Sequence, residues 1–296
     1  MKTPVLLLVN PVAGHSTYRS ALGEITLSLY RGGYQPTVCF TEYPGQAREL
    51  ARELGGDYPL LVCLGGDGTL SDVMAGLMDL PRRPRLGYIP AGTANDVATT
   101  LRLSRNPARA VQTILHGRPV PYDVGRFGQE EYFSYIAAFG AFTEVSYETP
   151  QDVKHALGHL AYLLQGMAQL PRLSHHMTRV EHDGGVLELD LCFGGVTNST
   201  SVAGLVRLSE SAVKLGDGKF EVILVRNPAD ISDMTNIVSS ILSKSYDNAH
   251  VTVLQSQKVR FTFQESVAWT RDGEAGGLHQ DLTLTNIHAP LEILAD

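Results

Sequence analysis

The chain has few cysteines and no long hydrophobic run. Its three cysteines, Cys39, Cys63 and Cys192, are odd in number and lie far apart among apolar residues. They predict buried free thiols in a reducing cytosol and argue against a disulfide framework or a cysteine metal site. The first apolar run, Val5–Val9, is too short for the apolar part of a signal peptide and far too short to span a bilayer, so we expect a buried strand there.

An excess of positive charge is also absent. The formal net charge is −7, so the chain lacks the general basic footprint of a nucleic-acid-binding protein. An anionic membrane would repel the chain as a whole, and binding to a lipid would therefore depend on a groove or an apolar surface. We expect no nucleic-acid partner, and a cytoplasmic location that is at most peripheral to the inner face of the membrane.

The first part of the sequence alternates between strand and helix patterns. Strands are expected at residues 4–10, 35–41, 60–64 and 86–89, with helices near 16–31, near 45–54 and after the third strand. Continuous apolar strands separated by helices predict a parallel sheet that is covered on both faces. Ligands of such sheets bind at the carboxyl ends of the strands.

After about residue 121 strand patterns dominate. They cover 120–127, 132–139, 178–182, 186–194, 220–225, 250–254, 258–263 and 281–285, with a helical hairpin expected near 143–170 and a helix near 228–242. The predicted fold class is α/β with two domains. An N-terminal parallel-sheet α/β nucleotide-binding domain covers 1–121, and a β-rich, sandwich-like domain covers 122–287. The last strand, near 288–296, fits either domain.

A Gly-Gly-Asp-Gly-Thr turn, residues 65–69, follows the third predicted strand and leads into a helix. Glycines let the backbone approach a ligand closely, and loop amides at a helix N-terminus form an anion site suited to phosphate. Asp67 alone would repel a phosphate, but it fits this turn if a divalent cation such as Mg²⁺ bridges the two. The alternative is a tight turn with an ordinary hydrogen-bonded aspartate.

A second polar turn, residues 90–96, follows the next predicted strand. Gly92 permits a sharp bend, Thr93 is expected to cap the following helix, and Asn95 and Asp96 present polar groups there. Alone, this turn is as consistent with a helix cap as with a functional site. Because both turns follow strands of one parallel sheet, we expect them to converge at its carboxyl edge.

The sequence has neither a Walker A motif nor the dinucleotide-binding glycine motif. The two turns, with Asn10-Pro11 and Gly14, instead resemble the catalytic domain of diacylglycerol kinases, and especially the soluble bacterial lipid kinases related to sphingosine and ceramide kinases. The resemblance continues with Asp123-Val124-Gly125, with the stretch 214–220 and with Asp272-Gly273-Glu274. These motifs occur in order over nearly the whole chain, although NAD kinases and phosphofructokinases share the first glycine turn.

The resemblance implies an ATP- and Mg²⁺-dependent kinase that phosphorylates the hydroxyl of diacylglycerol or a related lipid at the membrane surface. The second domain would then bind the lipid. The sequence leaves the oligomeric state open, with a homodimer as one possible assembly. The resemblance implies that ATP is bound by Asn10, Thr41, Gly65, Gly66, Asp67, Gly68, Thr69, Leu70, Ser71, Asp72, Gly92, Thr93 and Asn95.

The resemblance also implies the catalytic residues. Asp67, Asp96 and Asp123 would form a carboxylate network around the catalytic Mg²⁺, partly through water. Glu274 would be the general base that takes the proton from the lipid hydroxyl. Phosphoryl transfer needs such an acceptor, and a glycine turn between two predicted strands is well placed to present an acid. Alone, an Asp-Gly-Glu sequence would more often be an ordinary hairpin turn with a surface acid.

A second, structural Mg²⁺ is implied near residues 214–219. Asp217 would hold it together with the backbone carbonyls of Lys214 and Lys219. The chain departs from the family pattern close to this loop, at 204–206 and 208–210, and also at His15-Ser16 after the first glycine.

Two further features lie in the predicted helical hairpin. His155 and His159 have the spacing of zinc ligands, but no third ligand and no catalytic glutamate accompany them, so a helix face is the favoured interpretation. The apolar segment Leu157–Leu170 is interpreted first as a core helix and alternatively as the border of an acyl-chain groove or a membrane contact.

Two other functions compete with the lipid kinase. A kinase of a soluble substrate, such as an NAD kinase, shares the first glycine turn, but it would carry Asn-Glu in place of Asn95-Asp96 and would not predict Asp272-Gly273-Glu274. A non-catalytic regulator that binds a nucleotide or a lipid would be expected to lack Glu274 or the aspartates of the network, and all of them are present.

Overall fold

The computed structural model describes residues 1–13, 17–141, 174–199, 201–202, 206–207, 214–243, 246 and 249–296. Two compact units divide the chain. The first comprises Met1–Val124, Leu215–Asp217 and Ile287–Asp296, and the second comprises Gly125–Lys214 and Gly218–Asn286. An α/β unit followed by a β-rich unit confirms the predicted fold class.

The helices and strands of the first part of the chain follow the predicted alternation and add a helix at Pro107–His116 that was not predicted. They are β1 (Thr3–Val9), α1 (Thr17–Arg31), β2 (Tyr34–Phe40), α2 (Gln46–Leu54), a 3₁₀ turn (Gly55–Asp57), β3 (Leu60–Gly65), α3 (Asp67–Met78), β4 (Arg85–Pro90), α4 (Asp96–Thr100), α5 (Pro107–His116) and β5 (Arg118–Phe127).

Strands dominate the rest of the chain. They are β6 (Glu131–Phe133), β7 (Ile136–Gly140), β8 (His176–His182), β9 (Gly185–Thr197), β10 (Ser201–Val202), β11 (Val206–Arg207), β12 (Phe220–Arg226), β13 (Val251–Ser256), β14 (Lys258–Arg271) and β15 (Glu274–Ala295), and the helix α6 (Ile231–Ser243) lies between β12 and β13.

The sheet of the first unit has the strand order β2-β1-β3-β4, with all neighbours parallel. The end of β15 adds a fifth parallel strand beside β4, with Ile293 opposite Leu86. This explains the last apolar run of the sequence, which returns to the first unit.

Helices cover both faces of this sheet. Val5, Leu7 and Val9 of β1 share one core cluster with Ile25 of α1 and Val111 of α5. Leu6 and Leu8 are also fully buried, and because alternate side chains of a strand point to opposite faces, they face the other side of the sheet. There α2 and α3 pack together: a Cβ atom on Gly76 of α3 would stand 2.2 Å from the carbonyl oxygen of Arg48 in α2.

Long antiparallel strands form the second unit. Its strand order is β13-β12-β9-β7-β14-β15, and β9 and β14 each pair with β8 over another part of their length. The core contains a group of packed aromatic rings, among them Phe139, Phe261 and Trp269. The single strand predicted at 132–139 is wrong. Two short strands, β6 and β7, flank Ser134 and Tyr135, whose amides donate hydrogen bonds to the side chain of Asp272 instead of continuing a ladder.

Several predictions fall outside the described residues. These are the helical hairpin at 143–170 with its apolar segment and both histidines, Gly14 with His15-Ser16, and most of the positions at 204–210 where the chain departs from the family pattern. Cys63 and Cys192 are buried free thiols, as predicted, whereas Cys39 is half-buried. In the part of the chain that the structure describes, no helix is long and apolar enough to cross a bilayer.

Candidate active site at the two glycine turns

The carboxyl ends of β1, β2 and β3 lie side by side. The Asn10 amide donates to the Leu64 carbonyl (2.9 Å), and the Thr41 amide donates to the Val9 carbonyl (3.0 Å). In a sheet of order 2-1-3-4 the chain leaves β1 and β3 in opposite directions, and ligands bind at such a switch point. The side chain of Asn10 spans this point, because its Nδ2 donates to Thr69 Oγ1 in the first turn of α3 (2.8 Å).

The two glycine turns touch through their backbones. A Cβ atom on Gly92 would stand 2.7 Å from the Cα atom of Gly66, and one on Gly66 would stand 3.2 Å from the Cα atom of Gly92. The Ala91 amide donates to the Gly65 carbonyl (2.8 Å). The turns therefore converge at one edge of the sheet, and both positions need glycine because any side chain would force the backbones apart.

Asp67 connects the two turns through hydrogen bonds of its carboxylate. It is the first residue of α3 and is 9% exposed. Its Oδ2 accepts a hydrogen bond from the amide of Asp96 (3.1 Å), and its Oδ1 accepts one from the amide of Val97 (3.3 Å). Burial and the nearby Asp96 carboxylate raise the pKa of Asp67 from 3.8 to about 6, although these amide hydrogen bonds oppose the shift. A divalent cation stabilises two buried carboxylates that would otherwise repel each other.

Asn95 closes the second turn and also occupies the N-cap position of the next helix, where Thr93 was predicted. Helix α4 begins at Asp96, and Asn95 occupies the N-cap position with φ 54°. Its Oδ1 accepts from the Gly92 amide (2.9 Å), and its Nδ2 donates to the Gly92 carbonyl (2.6 Å). The side chain of Asn95 is thus buried in closing the turn, while Thr93 lies exposed at its tip.

Within the stretch 66–72 the residues differ in what they can offer a ligand. The side chain of Leu70 is fully buried, and its amide donates to the Gly66 carbonyl (3.0 Å). Leu70 therefore stabilises the start of α3, and neither its side chain nor its amide is available to a phosphate. Gly66, Gly68, Ser71 and Asp72 are partly exposed.

Asp123 is fully buried, and its carboxylate contacts residues outside the two glycine turns. Its Oδ1 accepts a hydrogen bond from the Ala289 amide (2.6 Å) and lies 3.3 Å from Nδ1 of His288. Its amide donates to the Leu215 carbonyl (2.7 Å). Sequence reasoning missed His288 and Ala289, since no motif marks them. Ala289 has φ 43°, a conformation that is uncommon for a residue with a side chain.

The three predicted network aspartates do not form a ready-made metal cage. Among the residues that the structure describes, no three histidine, cysteine, aspartate or glutamate side chains lie close enough to hold a metal ion together. Asp67 and Asp96 are neighbours, whereas Asp123 is engaged by Ala289 and His288.

In the second unit, Asp272 and Gly273 form the turn between β14 and β15. Their φ angles are 49° and 86°, as in the two-residue hairpin turns that Asp-Gly sequences favour. Glu274, the first residue of β15, is exposed, whereas Asp272 is buried and accepts four hydrogen bonds from the segment Ser134–Ile136. The turn thus presents one acid to solvent and buries the other.

In the loop 214–219 the side chains of Lys214, Asp217 and Lys219 are exposed. The loop turns at Gly218, where φ is 80°. Asp217 is its single carboxylate, so only one side-chain oxygen ligand is available to a cation here, and backbone carbonyls and water would have to supply the others.

The comparison with known proteins identifies the family. Residues 4–127 match the family described as the diacylglycerol kinase catalytic domain, and residues 137–286 match the family described as the YegS C-terminal NAD kinase beta sandwich-like domain. A diacylglycerol kinase of Staphylococcus carnosus is 34% identical over 282 residues, which make up 94% of this chain and 90% of the relative. The chain belongs to the diacylglycerol kinase family. This membership confirms the interpretation of the sequence as that of a lipid kinase.

A further relative and two solved structures are also similar to this chain. The diacylglycerol kinase of Bacillus subtilis is 31% identical over 275 residues, covering 92% of this chain and 90% of the relative. Two solved structures from Bacillus anthracis share the fold, with TM-scores of 0.83 and 0.78 at 22% and 21% identity, and each comparison covers 99% of this chain and 97% of the other.

Proposed function

We propose that this chain is an ATP- and Mg²⁺-dependent lipid kinase that transfers the γ-phosphoryl group of ATP to the hydroxyl of diacylglycerol or a related lipid. The observation that carries the proposal is the contact of the two glycine turns beside Asp67. It brings exposed backbone, the N-terminus of α3 and a buried pair of carboxylates to the carboxyl edge of one parallel sheet.

This edge is suited to the phosphates of ATP. Because Gly66 and Gly92 have no side chains, phosphate oxygens can approach the backbone closely, and the N-terminus of α3 attracts negative charge. Thr41 and Asn10 stand at the ends of the neighbouring strands at the switch point, and the side chain of Asn10 binds Thr69 in the first turn of α3. Thr93, exposed at the tip of the second turn, is available to a ligand.

The residues also fit the metal that such kinases use. Asp67 and Asp96 would hold the catalytic Mg²⁺, with Asp123 acting through water, and the ion would neutralise charge on the transferred phosphoryl group. Burial and the nearby Asp96 carboxylate, which raise the pKa of Asp67, both disfavour its negative charge, and a bound cation would compensate for this. Asp217, with the backbone carbonyls of Lys214 and Lys219, would hold the second Mg²⁺.

Glu274 would accept the proton of the lipid hydroxyl. Its side chain is exposed to solvent at the turn between β14 and β15. A carboxylate that takes this proton makes the oxygen a better nucleophile while it attacks phosphorus. Since the acceptor is a lipid, we further propose peripheral contact with the membrane, which co-sedimentation with phosphatidylcholine vesicles containing diacylglycerol would test.

A transfer assay tests the proposed function. Purified protein is mixed with Mg²⁺, γ-labelled ATP and detergent micelles containing diacylglycerol, phosphatidylglycerol, an undecaprenyl-type alcohol or a sphingoid base, with NAD as a soluble acceptor. Label in an organic-extractable lipid supports the proposal and names the substrate. Label in NAD would overturn it in favour of a kinase of a soluble substrate, and ATP binding without any transfer would favour a non-catalytic regulator.

A further inference from the structure

Asp272 and Glu274 stand two residues apart in one turn, yet their surroundings are opposite. Asp272 is 6% exposed, and Glu274 is exposed to solvent. We propose that Asp272 is a positioning residue, which fixes the turn that carries Glu274 by binding the backbone of Ser134–Ile136. This inference rests on the proposed role of Glu274 as the general base.

Four donors converge on the Asp272 carboxylate. Its Oδ2 accepts from the amide of Ser134 (2.6 Å) and from the hydroxyl of the same residue (3.0 Å). Its Oδ1 accepts from the amides of Tyr135 (3.0 Å) and Ile136 (3.0 Å). An ionised carboxylate is an acceptor with about four lone-pair sites, so these four donors match its capacity.

The backbone of Asp272 adds a fifth bond, because its amide donates to the Ile136 carbonyl (2.8 Å). Next to it, β14 pairs with β7 through Trp269–Arg271 and Phe139–Ala137. The turn is therefore fixed on one side by a ladder of strands and at its corner by the buried carboxylate. Without the carboxylate, three consecutive amides and a hydroxyl would lose their acceptor.

The turn itself does not require a carboxylate. Asn-Gly forms the same two-residue turn as readily as Asp-Gly. The charge and the two acceptor oxygens of Asp272 instead serve the segment 134–136. An asparagine would keep an acceptor for Tyr135 and Ile136, but its NH₂ group would face the amide of Ser134, which can only donate.

The substitution Asp272→Asn therefore separates the requirement of the turn from the requirement of the segment 134–136 for an acceptor. It preserves the turn and weakens its attachment to the segment 134–136. A displaced general base lowers the rate of the chemical step without affecting ATP affinity, since a misplacement of about 1 Å can cost roughly 100-fold in rate. We expect kcat to fall at least about 10-fold, with the KM for ATP within about twofold of the wild-type value.

Two variants calibrate the effect. Ser134→Ala removes only the hydroxyl donor and leaves the three amides in place, so kcat should fall by less than in Asp272→Asn. Asp281→Asn removes an exposed carboxylate of the same strand, β15, that pairs with Arg260, and it should leave kcat unchanged.

A double-mutant comparison distinguishes positioning from a general loss of folding. Transfer to the lipid is measured with radiolabelled ATP for the wild type, Asp272→Asn, Glu274→Gln and the double variant, with each rate divided by the fraction of protein that binds ATP. If Asp272 acts through Glu274, Asp272→Asn lowers the rate only while Glu274 is present. An equal loss in both backgrounds would overturn the proposal.

The same set separates this inference from the proposed function. A wild-type rate in Asp272→Asn together with a large loss in Glu274→Gln would leave the base assignment standing and refute the positioning role. A wild-type rate in Glu274→Gln would refute the base assignment and the positioning role with it.

Discussion

Gly66 and Gly92 lie in direct backbone contact, so that a Cβ atom on Gly92 would stand 2.7 Å from the Cα atom of Gly66. The two turns are separated by a helix and a strand in the sequence, and the backbone of each leaves no room for a side chain at the glycine of the other. The shape of this edge of the sheet, where we propose that the phosphates of ATP bind, therefore depends on both glycines at once.

Gly92→Ala should weaken ATP binding. Overpacking of a tight contact costs about 1–3 kcal/mol, and if this strain falls on the nucleotide-binding conformation, ATP affinity falls roughly 5- to 150-fold. Titration calorimetry with ATP measures the effect. Gly23→Ala is the matched control, because it adds the same methyl group at a helical position with nothing within 4 Å. Equal ATP affinity in both variants would contradict the prediction.

Asp67 should make stability depend on pH in the absence of Mg²⁺. Its pKa is about 6 in the folded protein instead of 3.8, so the folded state holds the proton to a higher pH than the unfolded chain does. The contribution of Asp67 to the free energy of unfolding should therefore be largest below about pH 4 and should be lost as the pH rises through about 6, a change of about 3 kcal/mol at most.

The measurement is urea unfolding in EDTA between about pH 4 and pH 7, for the wild type and for Asp67→Asn. The variant should lack this decline. Parallel pH profiles for the two proteins would show that Asp67 does not titrate as its surroundings indicate.

Asp123→Asn and Asp123→Ala should differ in stability but not in activity. The asparagine keeps an acceptor for the Ala289 amide, whereas the alanine leaves that amide unpaired at a cost of about 1–3 kcal/mol. Both lose the charge, and kcat should fall by about 100-fold or more. Thermal unfolding and the transfer assay check this, and a fully active Asp123→Asn protein would exclude the carboxylate from catalysis.

Glu274→Gln should lose catalysis without losing structure. Removal of a general base lowers kcat by about 10²–10⁴-fold, and because the side chain is exposed, the free energy of unfolding should change by less than about 0.5 kcal/mol. Glu265→Gln, an exposed glutamate of β14, serves as the control and should remain active. A substantial rate in Glu274→Gln would assign the proton transfer to another group.

Asp217 should account for part of the stabilisation by Mg²⁺. A ligand that binds only the folded state raises stability by about 2.7 kcal/mol at 100 times its Kd, and a bound metal is linked to folding in this way. Melting temperatures are compared with and without Mg²⁺. The shift should be smaller in Asp217→Asn than in the wild type, and unchanged in Asp57→Asn, an exposed aspartate of the 3₁₀ turn. An undiminished shift in Asp217→Asn would remove the metal site from this loop.

Local sequence patterns were sufficient to predict the strands β1 to β4 and the two glycine turns. Apolar runs and glycine turns stand next to each other in the chain, so β1, β3 and the two turns follow from neighbouring residues. Helix α5 carried equally local signals, Asn106 at the N-cap, whose Oδ1 accepts from the Arg109 amide, and Pro107 at the first position. Helix α5 was not predicted, although these signals for it were present in the sequence.

Contacts between distant residues could not be predicted in the same way. The break between β6 and β7 depends on Asp272, which lies 138 residues after Ser134. The partner of Asp123, Ala289, lies 166 residues away. The predicted strands were shorter than β14 and β15. A shift of register between Thr262 and Val267 interrupts the alternation of side chains from which the strands were predicted.

The return of β15 to the first unit has a consequence for synthesis of the protein. The ribosome completes residues 1–124 long before it makes Ile293, the residue that pairs with Leu86 of β4. Until then β4 is an edge strand of the nascent chain, and such edges readily add strands of other chains. A ribosome-bound chain that stops before residue 287 should therefore aggregate or recruit chaperones, although both glycine turns have already been translated.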